Sequence, residues 1–381
     1  MTHILDYLNT NLKTFEEAPF NAVDSACLSA FCMTELDDIL ADMPGAQDEA
    51  DPRKRYFLPW RKKEGAGLKF ADFLKAEHYP TMFKGFIKDS AWTNLMLLAS
   101  SPRFRDITIH SYRSTFDAEA HLQFAATTFI YKDMFAYIGF RGTDTSVAGW
   151  REDFNMACSS PIPAQEEALV FLQQTIARLP KNLEAVYVGG HSKGANLAVY
   201  SSMFSPIEIQ KRITRVFDHD GPGFRPEIIP YDAPVIARIH KTVPAESVVG
   251  LIMTSPCPIH PIASSQKGLL QHDLYTWKLD GNDFVYLDEV SDGSRLMGNI
   301  TKAVVAQGDV EELNALVNLL FGILESTGAE QIPEITSDWK KTVPLMIEAA
   351  SKTDKNERDA ALRAAKLMAE AIVDQFKGGL K

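Results

Sequence analysis

Residues 185–200 read Ala-Val-Tyr-Val-Gly-Gly-His-Ser-Lys-Gly-Ala-Asn-Leu-Ala-Val-Tyr, and this stretch decides the fold. Val186, Tyr187 and Val188 form a short apolar run of β type, Gly190-His191-Ser192-Lys193-Gly194 follows, and the segment beyond is helix-prone. G-x-S-x-G between a strand and a helix is the pattern of a nucleophile elbow. A serine there sits in a strained turn with its hydroxyl exposed, and the flanking glycines leave room where a Cβ would collide with the neighbouring strand and helix. The helix that follows aims its N-terminal amides at the same place, which favours an oxyanion. Ser192 is the candidate nucleophile; the bland alternative is a structural Gly-Ser turn.

Working outward, Phe124–Tyr131 and Met134–Phe140 read as two β-rich runs joined by a tight Lys132-Asp133 turn. Ala168, Leu172, Ile176 and Leu179 fall on one helical stripe that Pro180 ends, just before the strand leading to Ser192. Further strands are expected at 213–218, 234–240 and 284–288. Strands alternating with helices predict an α/β fold with a mostly parallel central sheet. Residues 1–110 carry no catalytic motif and read as an N-terminal extension: an acidic stretch (Glu35 to Asp51) and a basic cluster (Arg53 to Lys63) suit solvated faces and a loop, and a segment near Ser90–Ala99 reads as helix. From about residue 291 the character turns helical, with Asp309 and Glu312 as a capping-box start before Leu313, Leu316, Val317, Leu320 and Leu324. This appendage suits packing or homo-oligomer formation.

The chain has 381 residues, 45% of them hydrophobic, and a formal net charge of −11. The length allows a substantial core, and the acidic balance argues against a nucleic-acid partner, which would require a basic face. Cys27, Cys32, Cys158 and Cys257 form no C-x-x-C pair and no zinc-like spacing, so they read as free thiols. His260, His272 and Asp273 could ligate a metal, but no H-E-x-x-H or similar spacing accompanies them; no metal and no other cofactor is expected. The N-terminus lacks the basic and apolar regions of a signal peptide, and no apolar run approaches the ~18 residues of a membrane span. A cytoplasmic protein without a transmembrane segment is the expectation.

A serine hydroxyl needs a histidine base, an acid to orient that base, and donors for the oxyanion. In hydrolases built on such an elbow the chain order is serine, acid, histidine. His219 and His240 come too early, which leaves His272, in Gln271-His272-Asp273, ahead of His260. The acid is expected in the loop after the 234–240 strand, which points to Glu246, with Asp220 in Asp218-His219-Asp220-Gly221 as rival and Asp218 third. Oxyanion donors are expected from the Lys193 backbone amide and from Gly142 and Thr143 in Phe140-Arg141-Gly142-Thr143, including the Thr143 hydroxyl. Trp150, Phe154 and Met156 suit either an apolar wall or ordinary core.

Phe140-Arg141-Gly142-Thr143, then Trp150 and Asp153, then Gly190-His191-Ser192-x-Gly194 resemble class 3 (fungal-type) triacylglycerol lipases. Asp220-Gly221-Pro222-Gly223-Phe224, Val243-Pro244-x-x-Ser247-Val248-Val249-Gly250 and Gln271-His272-Asp273 resemble a bacterial, lipase-like branch of the same superfamily. The resemblance spans roughly residues 100–290. It implies an α/β-hydrolase fold over 1–290 (an extension at 1–110, a catalytic core at 111–290) and a helical region at 291–381. It also implies a carboxylesterase or lipase-like serine hydrolase acting on a small acyl ester or lipid-like substrate. Three positions depart from the lipase pattern: Lys193 and Asn196 beside the nucleophile, and Ser247 where those lipases carry the acid, with Glu246 next to it. A catalytically inactive binding or scaffold protein on the same fold is the alternative.

Overall fold

Apolar residues run almost without break through Phe124–Tyr131 and 135–140 because both faces of the sheet are covered. The computed structural model describes residues 2–41, 67–83, 88–117, 119–120, 122–143, 156, 160–307 and 355. Eight strands form one sheet in sequential order: β1 (Leu68–Lys69), β2 (Thr108–Asp117), β3 (Leu122–Tyr131), β4 (Phe135–Phe140), β5 (Ala185–His191), β6 (Arg215–His219), β7 (Ile239–Pro244) and β8 (Ile259–Ile262). Strands β1 to β4 are antiparallel neighbours, and β4 to β8 run parallel. The chain is thus an α/β protein with an eight-stranded sheet whose parallel half holds the elbow.

Alternation along each strand sorts the side chains into two cores. Phe135 and Tyr137 of β4 and Phe217 of β6 join one with the N-terminal helices α1 (Ile4–Thr10), α2 (Ala22–Phe31), α3 (Asp37–Ala41), α4 (Tyr79–Met82) and α5 (Lys88–Ser100). Ala136, Ile138 and Phe140 of β4, with Val186 and Val188 of β5, join the other with α6 (Pro163–Arg178), α7 (Lys193–Met203) and α8 (Ile207–Arg212). The N-terminal segment is therefore a layer of the fold, with Val23 through Phe31 all buried. A second, two-stranded sheet pairs β9 (Leu279–Asp280) with β10 (Asp283–Phe284), and α9 spans Asp292–Gln307.

The expected strand at 234–240 is displaced. Pro234–Arg238 forms a 3₁₀ helix and the strand begins at Ile239, since Pro234 has no amide to give a ladder. The expected strand at 284–288 contributes Phe284 to the small sheet and a bridge from Tyr286 to Ile262. Strands β1, β2, β8 and β9 have no counterpart among the runs expected from the sequence. Asp144, Trp150, Asp153, Phe154, Cys158 and the helical stripe from Asp309 to Leu324 lie outside the described residues; Met156 is buried in the core beneath α6 and α7.

A polar network ties α2 to the sheet. Ser25 and Ser29 Oγ lie 3.1 and 2.8 Å from the Tyr137 hydroxyl. His219 bridges Ser25 Oγ through Nε2 and Thr242 Oγ1 through Nδ1, both at 2.9 Å. Burial, reinforced by His240, pushes the His219 pKa down to about 3 from 6.5, so the folded ring is neutral. Unfolded chains take up that proton below about pH 6.5 while the folded state does not, so acid favours unfolding between those two values. Stability is expected to fall by about 2 kcal/mol from this ring alone between pH 7 and pH 5. Thermal unfolding of wild type and His219→Asn at the two pH values checks it: an equal acid shift in both proteins refutes the assignment.

Candidate active site

The parallel register brings the carboxyl ends of β5, β6 and β7 side by side, with His191 opposite His219 and His219 opposite Thr242. Ligands of open α/β sheets bind at this edge. Ser192 leaves β5 with φ +58° and ψ −131° and starts α7 as its N-cap. A non-glycine residue held at positive φ stores strain that the surroundings must overcome. A Cβ on Gly190 would stand 2.4 Å from the Gly194 carbonyl, and one on Gly194 would stand 2.2 Å from Phe140 O. The turn closes because neither is present. The Ser192 amide donates to His219 O at 3.0 Å, which fastens the elbow to β6.

Gly142 lies directly against this turn. A Cβ there would meet His191 O at 2.8 Å, Met33 Sδ at 3.3 Å and Ser192 Cβ at 3.4 Å. The loop after β4 thus passes beside the serine, with half-buried Thr143 next in line. The Lys193 amide is the first of α7, while its buried Nζ donates to Gln123 O of β3 at 3.0 Å. Asn196, one turn on, accepts from Gln165 and donates to the carbonyls of Pro222 and Gly223. Both departures from the lipase pattern are structural ties between layers.

His272 closes a 3₁₀ turn, Gly268–His272. Its Nδ1 donates to Asp220 Oδ2 at 2.7 Å; Asp220 is wholly buried, whereas the imidazole side chain is 28% exposed. A carboxylate can only accept, so the proton sits on Nδ1 and Nε2 keeps its lone pair. Asp220 follows β6 at φ +54° and fixes its backbone through its amide to Thr242 O at 2.9 Å. His191 Nε2 donates to the carbonyl of His272 at 2.7 Å, and the two rings stand 4.5 Å apart. Burial and the neighbouring His272 hold the His191 pKa well below its ordinary value, so it serves as a neutral donor. Trp277 Nε1 ties the adjoining Gln271 carbonyl at 2.8 Å.

The other two candidate acids are committed elsewhere. Glu246 Oε2 accepts from the Gly268 amide at 2.7 Å, and its own amide donates to Gln271 Oε1 at 2.9 Å; it shapes the histidine loop from behind. Asp218 is buried against Lys241 Nζ at 2.9 Å and takes the Gly221 amide, with burial raising its pKa. His260 stacks on His240 at 4.4 Å. Among the described residues no group of three or more His, Cys, Asp or Glu is placed to hold a metal.

Two contributors escaped sequence reading: Met33, which reaches the Gly142 loop from beyond α2, and Ser25 beneath the elbow strands; Ser247, marked only as a departure from the lipase pattern, touches Asp220. Met33 and Ser25 come from a segment without motif. Among the described residues no helix is long and apolar enough to cross a membrane. No curated protein matches the chain. A family model described as Mbeg1-like does match, over residues 98–322, more than half of the chain, and the protein belongs to that family of lipase-like proteins.

Proposed function

We propose that this chain is a serine hydrolase of the α/β-hydrolase fold that cleaves an acyl ester through an acyl-enzyme on Ser192. The observation that carries this reading is the 2.7 Å contact from His272 Nδ1 to a wholly buried Asp220 carboxylate, at the same sheet edge as a serine held at positive φ. Nε2 of His272 takes the Ser192 proton as Oγ bonds to the ester carbon, and the carbonyl π electrons move onto oxygen. The amides of Lys193 and of the Gly142–Thr143 loop, with the Thr143 hydroxyl, receive that oxyanion. Collapse expels the alcohol, which takes the proton back from His272; water, deprotonated by the same nitrogen, then adds to the acyl carbon, and the second collapse breaks the bond to Ser192 Oγ, which takes that proton from His272 as the acid leaves. Met33 offers apolar surface beside Gly142 for the acyl chain. Residues 1–290 form the hydrolase domain in this reading, with 291–381 as a helical region apart from the chemistry.

A fluorophosphonate probe tests the reading. Wild-type protein is expected to label at Ser192, mapped by mass spectrometry, and to hydrolyse short-chain p-nitrophenyl esters in the presence of a chelator. Ser192→Ala is expected to lose both. Wild type that neither labels nor turns over would leave the inactive scaffold as the better account.

A further inference from the structure

The turn after β7 is built around Asp220 although it holds none of the reacting groups. Ser247 Oγ lies 2.6 Å from Asp220 Oδ1, and the Gly250 amide donates to Ser247 Oγ at 3.1 Å. Ser247 is buried at 2% exposure. Since an amide can only donate and a carboxylate only accept, the Ser247 hydroxyl proton is directed at Oδ1. Gly250 completes the fit: a Cβ there would stand 2.2 Å from Asp220 Oδ1 and 3.1 Å from both methyls of Val243. Only a residue without a side chain lets the carboxylate occupy this place. The Ser247 amide in turn donates to Pro244 O at 2.9 Å, which anchors the turn to the end of β7.

From these contacts we infer that Ser247 to Gly250 form a carboxylate cradle and that Ser247 is a positioning residue for the Asp220–His272 pair. The inference rests on the triad proposed above. Each carboxylate oxygen has one fixed donor, Ser247 Oγ on Oδ1 and His272 Nδ1 on Oδ2. With two anchors the carboxylate plane cannot turn, so the imidazole tautomer and its heading are held as well. Asp220 leaves its strand at positive φ, and a side chain launched from a strained backbone needs such an outside hold. The cradle and the strained residue lie on adjacent strand ends and act as one device.

The test uses full-length wild type, Ser247→Ala and Ser247→Thr, each confirmed to be folded at the assay temperature by circular dichroism. Steady-state ester hydrolysis is combined with the low-field proton resonance of His272 Nδ1. Ser247→Ala is expected to lower kcat about ten- to a hundredfold with KM unchanged, and to broaden or shift that resonance. Ser247→Thr keeps the hydroxyl and is expected to restore both. Wild-type kcat and resonance in Ser247→Ala, or a Thr variant as impaired as the Ala variant, would overturn the cradle while leaving a labelled Ser192 intact. A wild-type protein that fails to label would remove the triad reading itself, and the inference with it.

Discussion

Replacing Asp220 with asparagine is expected to lower kcat about 10⁴-fold, whereas Glu246→Gln is expected to stay within a few-fold of wild type. The reason lies in donors and acceptors. Ser247 directs its proton at the Oδ1 position, so an asparagine there would turn its oxygen toward Ser247 and its NH₂ toward His272. An amide donor facing Nδ1 forces the imidazole proton onto Nε2, which in the proposed triad then has no lone pair to take the Ser192 proton. Glu246 has a different task, since its Oε2 holds the Gly268 amide at 2.7 Å, and a glutamine oxygen can accept the same bond. Parallel kcat measurements on the two variants decide the matter. A loss in Glu246→Gln as deep as that in Asp220→Asn would reassign the acid.

The second large effect concerns stability and lies far from the elbow. Arg103→Leu is expected to destabilise the fold by about 3–5 kcal/mol, a large share of the ~5–15 kcal/mol that holds a typical domain together. Arg103 and Asp24 are both fully buried and meet in a two-pronged pair, Nε to Oδ1 at 2.7 Å and Nη2 to Oδ2 at 2.6 Å. The same guanidinium donates to the carbonyls of Lys13, Thr14, Ala18 and Pro19, and it lies 4.1 Å from the centre of the Phe15 ring. One side chain thus satisfies the backbone that joins α1 to α2. Removing it takes the counter-charge from a buried carboxylate that keeps the Tyr7 hydroxyl and the Asn21 amide as donors, and it takes a charged donor from four backbone carbonyls. Arg103→Lys should not rescue, because an ammonium lacks the planar fork. Urea unfolding of the three proteins measures the difference; an Arg103→Leu midpoint near wild type would show that the pair is dispensable.

Much of the site was legible because its constraints are local. The elbow is written in Gly190, Ser192 and Gly194 over five residues, since only absent side chains let the turn close, and the flanking strand and helix follow from periodicity. Phe140-Arg141-Gly142-Thr143 was legible for a similar reason: it ends a strand and offers a residue without a Cβ. The choice among Glu246, Asp220 and Asp218 was not local. It depended on which strand end stands beside His272: Glu246 does follow β7 as expected, but the imidazole meets Asp220 at the end of β6.

The N-terminal layer was harder still. The segment Ala22–Phe31 is rich in small and polar residues and is buried almost throughout, so it shows no clear apolar stripe to read. Its serines are satisfied by Tyr137 and His219, more than a hundred positions away.

By itself, the sequence determined an α/β chain with a serine at a strand–helix turn and a histidine well downstream, because steric and periodic rules act between neighbours. Tertiary structure alone decided that Asp220 meets His272, that Ser247 and Gly250 enclose its carboxylate, and that Arg103 locks α1 to α2. Those are distances between strand ends and layers. They are set by how the whole sheet stacks, and no stretch of residues carries them.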